Sequence, residues 1–532
     1  MALVLIVLAA ALAFAFYLYS TWTFKRFEGT KIPHLKPFPV VGNMLKFFLK
    51  REDVIESFGK FYTLFPNDRF VGLYQMRTPN IMIRDPDLIR QVGIKDFDTF
   101  SHHIVFANTA EADPLFGNNL FGLKDQKWRD MRATLSPAFT GSKMRLMFEL
   151  VFECGQQMNQ YLHKMTEKDG HVDFETKELL TKYTNDVIAT SAFGVKVDTL
   201  QNPDNTFYEM GKRISNLNGF KMSLKFFGYI LMPKVMEVLK IRLFDKECGL
   251  FFHKLVQETM SIREKEGIVR PDMINLLMQA RKGALKHDAN EEIVDDAGFA
   301  TVQESVIGKT QLPKRVWTDE DFTAQAMIFF LAGFETVSVA LCFISHELAV
   351  NPDIQKRLQN EIDEVRQELH DKEKTLDYET INRMKYLDMV VSEGLRLWPP
   401  SPFTDRACTK NYIMEDFNGN KVEVRKGDTI ILPFFNLHRD EKYFPNPNTF
   451  DPERFSEENK KNIKPFTYLP FGIGPRNCIG SRFALMEIKA MFFNILQDFN
   501  IVPCKKTQIP IVLAKGSITM RPENGFWVKF ER

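Results

Sequence analysis

The chain has 532 residues, of which 44% are hydrophobic and 26% are charged, a composition typical of a large folded protein and not of a disordered one. Basic and acidic residues nearly balance, with a formal net charge of +2, so no basic footprint predicts a nucleic-acid partner. The 49 phenylalanines favour a large apolar core, an apolar ligand cavity, or both.

The six cysteines are scattered along the chain. Their spacing does not match a zinc ribbon, a redox dithiol or a c-type haem attachment site. So few cysteines in so long a chain also argue against a disulfide framework. The cysteine usage therefore predicts a body in a reducing, cytosol-facing compartment.

The first 24 residues carry no charged side chain, and residues 2–19 are almost wholly apolar. About 20 such residues span a bilayer as a helix. Lys25 and Arg26 follow at once, and no basic residue precedes the run. This pattern predicts a single uncleaved transmembrane anchor over residues 1–24, with the carboxyl side in the cytosol. A cleaved signal peptide is the competing interpretation, although its apolar core would be shorter and preceded by a basic residue.

A basic and proline-rich linker is predicted over residues 25–45, because its prolines fix φ and resist helix formation, which is typical of a stiff spacer. The rest of the chain, residues 46–532, is predicted to form one domain. Most of it has helical periodicity, and the strand-like pieces are few: residues 71–77, 81–84, 429–432 and 517–521. The fold class is therefore expected to be mainly α with small β-sheets.

The polar and irregular residues 283–315 predict an exposed connector that leads into a long helix. Thr318 is a good N-cap because three acidic residues follow it in the first turn. The helix is expected to end at Val350, since Pro352 cannot continue it.

The middle of this helix, residues 324–334, is apolar on every face, so the helix must be buried in a core or in a membrane. Glu335 and Thr336 interrupt the apolar run at mid-length. A charge there is costly unless it has a partner or a role. We therefore predict that the helix crosses a soluble core and has a functional break at its middle.

The most specific pattern is residues 471–480, FGIGPRNCIG, in which glycines lie on both sides of Cys478 and a helical pattern begins at Arg482. Glycines permit tight turns and a close approach of the backbone to a flat cofactor. Cys478 comes just before a helix amino terminus, whose field is expected to stabilise a thiolate. The alternative is a buried structural cysteine, and the ten-residue pattern favours the ligand.

This segment resembles the haem-binding signature of the cytochrome P-450 superfamily. Four further motifs match in the family's order and extend the resemblance over essentially the whole chain after the anchor. They are Trp128 with Arg132, the segment 332–336, Glu393 with Arg396, and the segment 452–455.

The resemblance implies the cytochrome P-450 fold, with haem b between the long central helix and the Cys478 loop with its following helix. It implies that Cys478 is the axial ligand of the haem iron, and in this family thiolate ligation favours O–O cleavage. It also implies haem contacts from Trp128, Arg132, Arg406, Phe471, Arg476 and Gly480. A solvated surface position is the alternative for Arg406. His103 falls where many relatives carry another propionate-binding arginine.

The resemblance implies catalytic roles for Glu335 and Thr336, an acid–alcohol pair that relays protons, and for Gly333, which leaves room for dioxygen. The alternative for Thr336 is a hydroxyl that bonds back to the preceding turn. Glu393, Arg396 and Arg454 are expected to form a buried structural network on the proximal side.

Substrate recognition is expected from segments that the resemblance places at the distal haem: residues 102–120, 329–330, 401–404 and the turn near 517. These segments are mostly apolar and aromatic, which favours a hydrophobic substrate. The expected pocket residues are Phe329, Phe330, Ala332, Pro402, Phe403 and Ser517. Core packing is the alternative for each phenylalanine.

Residues 276–283 and 330–336 resemble insect microsomal members that oxidise xenobiotics. This likeness implies a monooxygenase that hydroxylates, epoxidises or dealkylates plant compounds or insecticides. Three alternatives remain open: oxidation of an endogenous lipid or hormone, a haem-thiolate isomerase or dehydratase that needs no reductase, and a non-catalytic carrier.

A dinucleotide-binding fingerprint does not follow any predicted strand, so the electrons are expected from a partner. The resemblance implies O2 as co-substrate and NADPH as the electron source through a separate flavoprotein reductase, with a cytochrome b-type protein as a second donor, at the endoplasmic reticulum membrane. A docking face is expected from Lys124, Lys127, Arg129, Lys460, Lys461 and Lys464. A solvated surface is the alternative.

Overall fold

The computed structural model describes residues 1–103, 113–216, 219–284, 298–302 and 315–532. Most of the predicted connector 283–315 and the middle of the predicted distal segment 102–120 lie outside these residues. The described helices are α1 (Ala2–Thr21), α2 (Leu45–Phe48), α3 (Val54–Leu64), α4 (Pro86–Arg90), α5 (Pro114–Gly117), α6 (Asp125–Leu135), α7 (Gly141–Met165), α8 (Thr176–Phe193), α9 (Thr206–Ser215), α10 (Phe220–Leu231), α11 (Pro233–Val238), α12 (Lys246–Glu266), α13 (Met273–Arg281), α14 (Asp319–Val350), α15 (Pro352–Asp371), α16 (Tyr378–Arg383), α17 (Lys385–Leu397), α18 (Phe434–His438) and α19 (Ser481–Leu496).

The described strands form three small sheets, so the predicted fold class is confirmed. The strands are β1 (Phe70–Gln75), β2 (Thr78–Ile83), β3 (His171–Glu175), β4 (Thr404–Ala407), β5 (Tyr412–Glu415), β6 (Lys421–Val424), β7 (Thr429–Leu432), β8 (Asn500–Val502) and β9 (Trp527–Glu531). Their orders are β1-β2-β7-β4, β3-β9-β8 and β5-β6.

Three of the four predicted strand-like pieces are found, as β1, β2 and β7. The fourth prediction was wrong, because residues 517–521 form a turn. The Ser517 hydroxyl donates to the backbone oxygen of Thr519, and a bridge between Leu513 and Pro522 closes the turn from outside. The last residue of the segment, Arg521, pairs across the turn, since its backbone oxygen accepts the Ala514 N–H at 2.8 Å.

The long helix α14 has the predicted bounds. Thr318 caps it and forms a capping box with Asp321, since each side chain accepts the other residue's backbone N–H. The helix runs through the middle of the body and packs against α8, α12, α17 and α19. Its carboxyl half is buried on all sides, which explains why its sequence is apolar all round.

Residues 25–45 are not the extended spacer that their prolines predicted. Phe27 and Ile32 are fully buried in the core beside β1, and the backbone oxygen of Pro33 accepts a hydrogen bond from Gly72 at 2.8 Å. Arg26 forms a shielded ion pair with Asp428. Apolar side chains between the prolines therefore attach this segment to the body.

Two described helices are long and apolar enough to cross a membrane, residues 2–25 and 319–350. The second is mostly buried within the body. The apolar stretch of the first is exposed along its length, and only its end contacts the body. There the Tyr19 hydroxyl donates to the backbone oxygen of Leu231 at 2.8 Å, and the Arg77 guanidinium lies 3.8 Å from the centre of the Tyr19 ring.

Candidate active site

A cavity of about 360 Å³ separates α14 from the loop that carries Cys478, within the size range of small-molecule sites. One wall is formed by Ala332, Gly333 and Thr336 of α14, and the facing wall by residues 470–480 with the start of α19. Most of the remaining lining is aliphatic or aromatic. The cavity therefore suits a large, flat, mainly apolar group.

The Cys478 loop is shaped by two glycines in the left-handed region. Gly472 has φ +80° and Gly474 has φ +69°. A side chain at Gly474 would also collide with the backbone oxygen of Gly93, only 1.8 Å from the position of its Cβ. The loop closes on itself through a 2.9 Å hydrogen bond from the Cys478 N–H to the backbone oxygen of Phe471, which directs Cys478 at the cavity.

Burial raises the pKa of the Cys478 thiol, and a backbone hydrogen bond from Gly480 and the charge of Arg132 oppose this only in part. The backbone at the amino end of α19 therefore acts on the Cys478 pKa in the predicted direction, but burial outweighs it in the free side chain. The accessible surface of Cys478 faces the cavity, where a coordinated metal would deprotonate the sulfur outright.

Three arginines converge at one end of the cavity, together with Trp128. Arg132 follows Trp128 by one helical turn on α6 and donates two hydrogen bonds to Asn477, beside Cys478. Arg476 lies over the Trp128 ring at 4.0 Å, and Arg406 reaches the same end from β4. The surface alternative for Arg406 is excluded, since its side chain is buried.

Two of these cations are held at an energetic cost. Burial lowers the pKa of Arg406 to about 10. Burial also lowers the pKa of Arg476, and the charges of Arg406 and Arg132 lower it further. Among the described residues, Arg406 and Arg476 donate mainly to backbone oxygens, and the buried Nε of Arg406 has no partner. The cluster therefore has the chemistry of a site for a group with more than one negative charge.

Glu335 and Thr336 lie on different faces of α14. Thr336 lines the cavity, and its hydroxyl bonds back to the Ala332 oxygen, as the alternative interpretation stated. Glu335 points into a second, polar pocket behind the helix. There Lys177 donates to the Glu335 carboxylate at 3.0 Å and to the Ser338 hydroxyl at 2.6 Å. The acid and the alcohol therefore do not form a directly facing pair.

Of the predicted substrate residues, some line the cavity and others point away from it. Phe329 and Ala332 line the cavity. Phe330 is buried in an aromatic cluster and stacks on Phe334 at 5.0 Å, so its prediction as a pocket residue was wrong. Pro402, Phe403 and Ser517 also lie outside the cavity lining, and Phe403 packs on Phe58 at 4.4 Å.

Comparison with known proteins places this chain in a family whose members bind haem, which agrees with the chemistry of the cavity. A family model described as cytochrome P450 matches residues 32–529. Cytochrome P450 9e2 of Blattella germanica is 46% identical over 528 residues, which cover 97% of this chain and 95% of the relative. Probable cytochrome P450 9f2 of Drosophila melanogaster is 44% identical over 531 residues, 99% of this chain and 98% of the relative. Cytochrome P450 6k1 of Blattella germanica is 35% identical over 528 residues, 99% of this chain and 96% of the relative.

This chain is a cytochrome P450. The family resemblance found in the sequence is thereby confirmed, and the chain is a haem-thiolate monooxygenase, an oxidoreductase whose family uses haem and O2. The cavity fits that cofactor. It offers one cysteine thiol on one wall, apolar side chains for the macrocycle, and buried cations with an unpartnered Nε on Arg406 where the two propionates would require donors.

The buried network of the P450 has the predicted members. Glu393 and Arg396 are fully buried and form two hydrogen bonds of 2.6 and 2.8 Å. The Arg454 Nε lies 3.4 Å from the same carboxylate. Arg396 also donates to the backbone oxygens of His438 and Pro447, which ties α17 to the chain that leads to the Cys478 loop.

His103 lines the cation end of the cavity. Its ring stacks on Phe121 at 4.3 Å, and its Nδ1 lies 3.2 Å from the Asp405 carboxylate. Burial lowers the pKa of His103 to about 4, although Asp405 opposes the shift. His103 is therefore neutral at physiological pH and does not replace the charge of an arginine.

Several lining residues were missed from the sequence, among them Met147, Ile188, Ser191 and Met273. They come from α7, α8 and α13, far apart in the chain. Ile188 also explains Gly333, since a Cβ there would lie 2.5 Å from Ile188 Cδ1. Only the tertiary packing of α7, α8 and α13 around the cavity reveals these residues, and a local pattern could not have found them.

Proposed function

We propose that this P450 inserts one oxygen atom of O2 into hydrophobic small molecules, with Cys478 as the axial ligand of haem b and with electrons from a separate NADPH-dependent reductase. The observation that carries the proposal is that one apolar cavity is lined by Cys478, the arginine cluster and Thr336 together. Haem bound there would supply the site at which O2 is activated.

Two groups of residues would hold the haem in the cavity. Arg132, Arg406 and Arg476, with Trp128, would hold the propionates through charge-assisted hydrogen bonds. Phe471 and Gly480, which both line the cavity, would pack against the macrocycle on the Cys478 side. Burial of these donors makes each contact stronger than it would be in water.

Thr336 would hold water at the reaction face, because its hydroxyl is accessible to the cavity and can accept a hydrogen bond while it donates to Ala332. Glu335 would take protons from the polar pocket behind α14, where Lys177 holds its carboxylate. Water must therefore bridge Glu335 and Thr336. Gly333 would contribute by its small size next to Ile188.

The proposed docking face for the reductase, and for a cytochrome b-type donor, is partly neutralised. Lys127, Arg129 and Lys460 each contact a carboxylate within 3.1 Å. Lys124 and Lys461 have no ion pair among the described residues. These two are the cations best placed to meet an acidic partner.

The proposed location is the endoplasmic reticulum membrane, with residues 1–24 as the anchor, residues 25–45 as the attached connecting segment, and residues 46–532 as the catalytic domain in the cytosol. Exposed apolar residues next to the anchor support this: Val235 and Val238 on α11 and Leu239 after it are 48%, 80% and 63% exposed. The Tyr19 contact with Leu231 brings α1 to this same surface, which could dip into the lipid.

A truncation tests the membrane surface. Protein without residues 1–24 should still float with phosphatidylcholine vesicles, and the double variant Val235→Glu, Val238→Glu should remain in solution. Leu146→Glu, a matched change at an exposed leucine of α7, should leave flotation unchanged. Equal binding by all three proteins would contradict the proposal.

The proposed substrates are xenobiotics such as plant compounds or insecticides, since the site offers apolar walls and few polar contacts beyond the arginine cluster. The test is a screen of such compounds with the P450 and reductase in vesicles. Substrate-dependent NADPH consumption and an oxygenated product are expected. Turnover of lipid hydroperoxides without reductase, and none with it, would contradict monooxygenation.

A further inference from the structure

His438, the last residue of α18, lies between the buried ion-pair network and the Cys478 loop. Its side chain is fully buried. The Leu469 N–H donates to His438 Nε2 at 2.8 Å, and His438 Nδ1 lies 3.2 Å from the backbone oxygen of Arg396. One imidazole therefore contacts two segments that are more than 70 residues apart in the sequence.

These contacts fix the tautomer of His438. Because Nε2 accepts the Leu469 N–H, it carries no proton, and Nδ1 must donate to the Arg396 oxygen. The ring is neutral, since burial and the nearby Arg396 charge lower its pKa to about 3. A second hydrogen bond joins the same two residues, because Arg396 Nη1 donates to the His438 backbone oxygen at 2.7 Å.

The bond to Leu469 reaches Cys478 in two short steps. Leu469 begins the loop, and its backbone oxygen accepts the Gly472 N–H at 3.1 Å. Phe471, between them, accepts the Cys478 N–H at 2.9 Å. The backbone of residues 469–472, which accepts the Cys478 N–H, is therefore held in place by the hydrogen bond from Leu469 to His438.

We propose that His438 is a positioning residue that ties the Cys478 loop to the Glu393–Arg396 pair through its two ring nitrogens. The proposal rests on the proposed role of Cys478 as the iron ligand. Without an acceptor at Nε2, the Leu469 N–H is left buried and unpaired, and the loop gains freedom to move the sulfur away from its ligating place.

Two substitutions separate the two ring nitrogens. Gln at 438 can place its amide oxygen near the position of Nε2 and keep the Leu469 bond, whereas Asn reaches only as far as Nδ1. In the reduced, carbon monoxide-bound holoprotein, His438→Gln should keep the strongly red-shifted Soret band. His438→Asn should lower the ratio of that band to the unshifted band by about tenfold, the factor that corresponds to one unpaired buried N–H.

Gln355 provides a matched control, because it is another buried side chain that joins two segments by hydrogen bonds, here to Leu348 and Ile501. Gln355→Leu should lower the melting temperature about as much as His438→Asn and leave the Soret ratio unchanged. Equal ratios in His438→Gln and His438→Asn, or an equal loss in Gln355→Leu, would overturn the positioning role. An unshifted band in the unsubstituted protein would instead refute the ligand role of Cys478.

Discussion

Arg406→Met should have opposite effects on the protein with and without haem. Arg406 is 1% exposed, and its guanidinium meets the backbone oxygens of Asp405 and Ile473 but no carboxylate within ion-pair distance among the described residues. The charge of Asp405 offsets only part of the cost of burying this guanidinium. Met fills a similar volume and carries no charge.

The size of the effect follows from the pKa. A shift of the Arg406 pKa from 12.5 to about 10 corresponds to about 3 kcal/mol against folding. The group is protonated at pH 7 in both states, so this cost is fully present there and fades only as the pH rises from about 10 to 12.5. Met removes the cost but leaves the Asp405 and Ile473 oxygens without this donor, at about 1 kcal/mol each. The haem-free protein should gain about 1 kcal/mol.

In the haem-bound protein the same change would remove the proposed charge-assisted contact of Arg406 to a propionate, at a cost of about 2–5 kcal/mol. Haem transfer to an acceptor protein should therefore become on the order of thirtyfold faster or more. Urea unfolding of the haem-free protein measures the predicted gain in stability without haem. Arg439→Met is the control, because burial also lowers the pKa of Arg439 to about 10 but Arg439 lies outside the cavity lining. Equal destabilisation of both forms by Arg406→Met would refute the reasoning.

Three further predictions test other parts of the site. Thr336→Ala should uncouple turnover and release peroxide in place of product, measured as the ratio of product to NADPH consumed; unchanged coupling would mean that another group holds the water. Lys124→Glu with Lys461→Glu should slow reductase-driven turnover and spare peroxide-driven turnover, and an equal loss of both would exclude docking there. His103 has a folded pKa of about 4 and an ordinary value of 6.5, so its contribution to stability is complete above pH 6.5 and is lost as the pH falls towards 4, at no more than about 1.4 kcal/mol per pH unit. His103→Asn should flatten the pH dependence of urea unfolding in that window, and an unchanged slope would contradict the buried neutral ring.

The sequence predicted features that depend on local chemistry. The bounds of α14 followed from a capping residue and a proline, and the Cys478 loop from glycines that only a special backbone requires. The Glu393–Arg396 pair followed from a three-residue spacing on one helix face.

Errors arose where direction matters. Neighbouring residues of a helix point about 100° apart, and the cavity lies on the side of α14 that carries Phe329 and Thr336, whereas Glu335 and Phe330 point away from it. The prolines of residues 25–45 predicted a stiff spacer, but burial of Phe27 and its neighbours binds the segment to the body. Tertiary packing determines which way these side chains point and where residues 25–45 lie, and a local sequence pattern carries no information about tertiary packing.

The central claim is that Cys478 binds the haem iron, and the carbon monoxide difference spectrum of the dithionite-reduced protein tests it most directly. We expect a strongly red-shifted Soret band in the unsubstituted protein and its loss in Cys478→Ser. A histidine-type band in both proteins would contradict thiolate ligation by Cys478 and, with it, the mechanism proposed for this cavity.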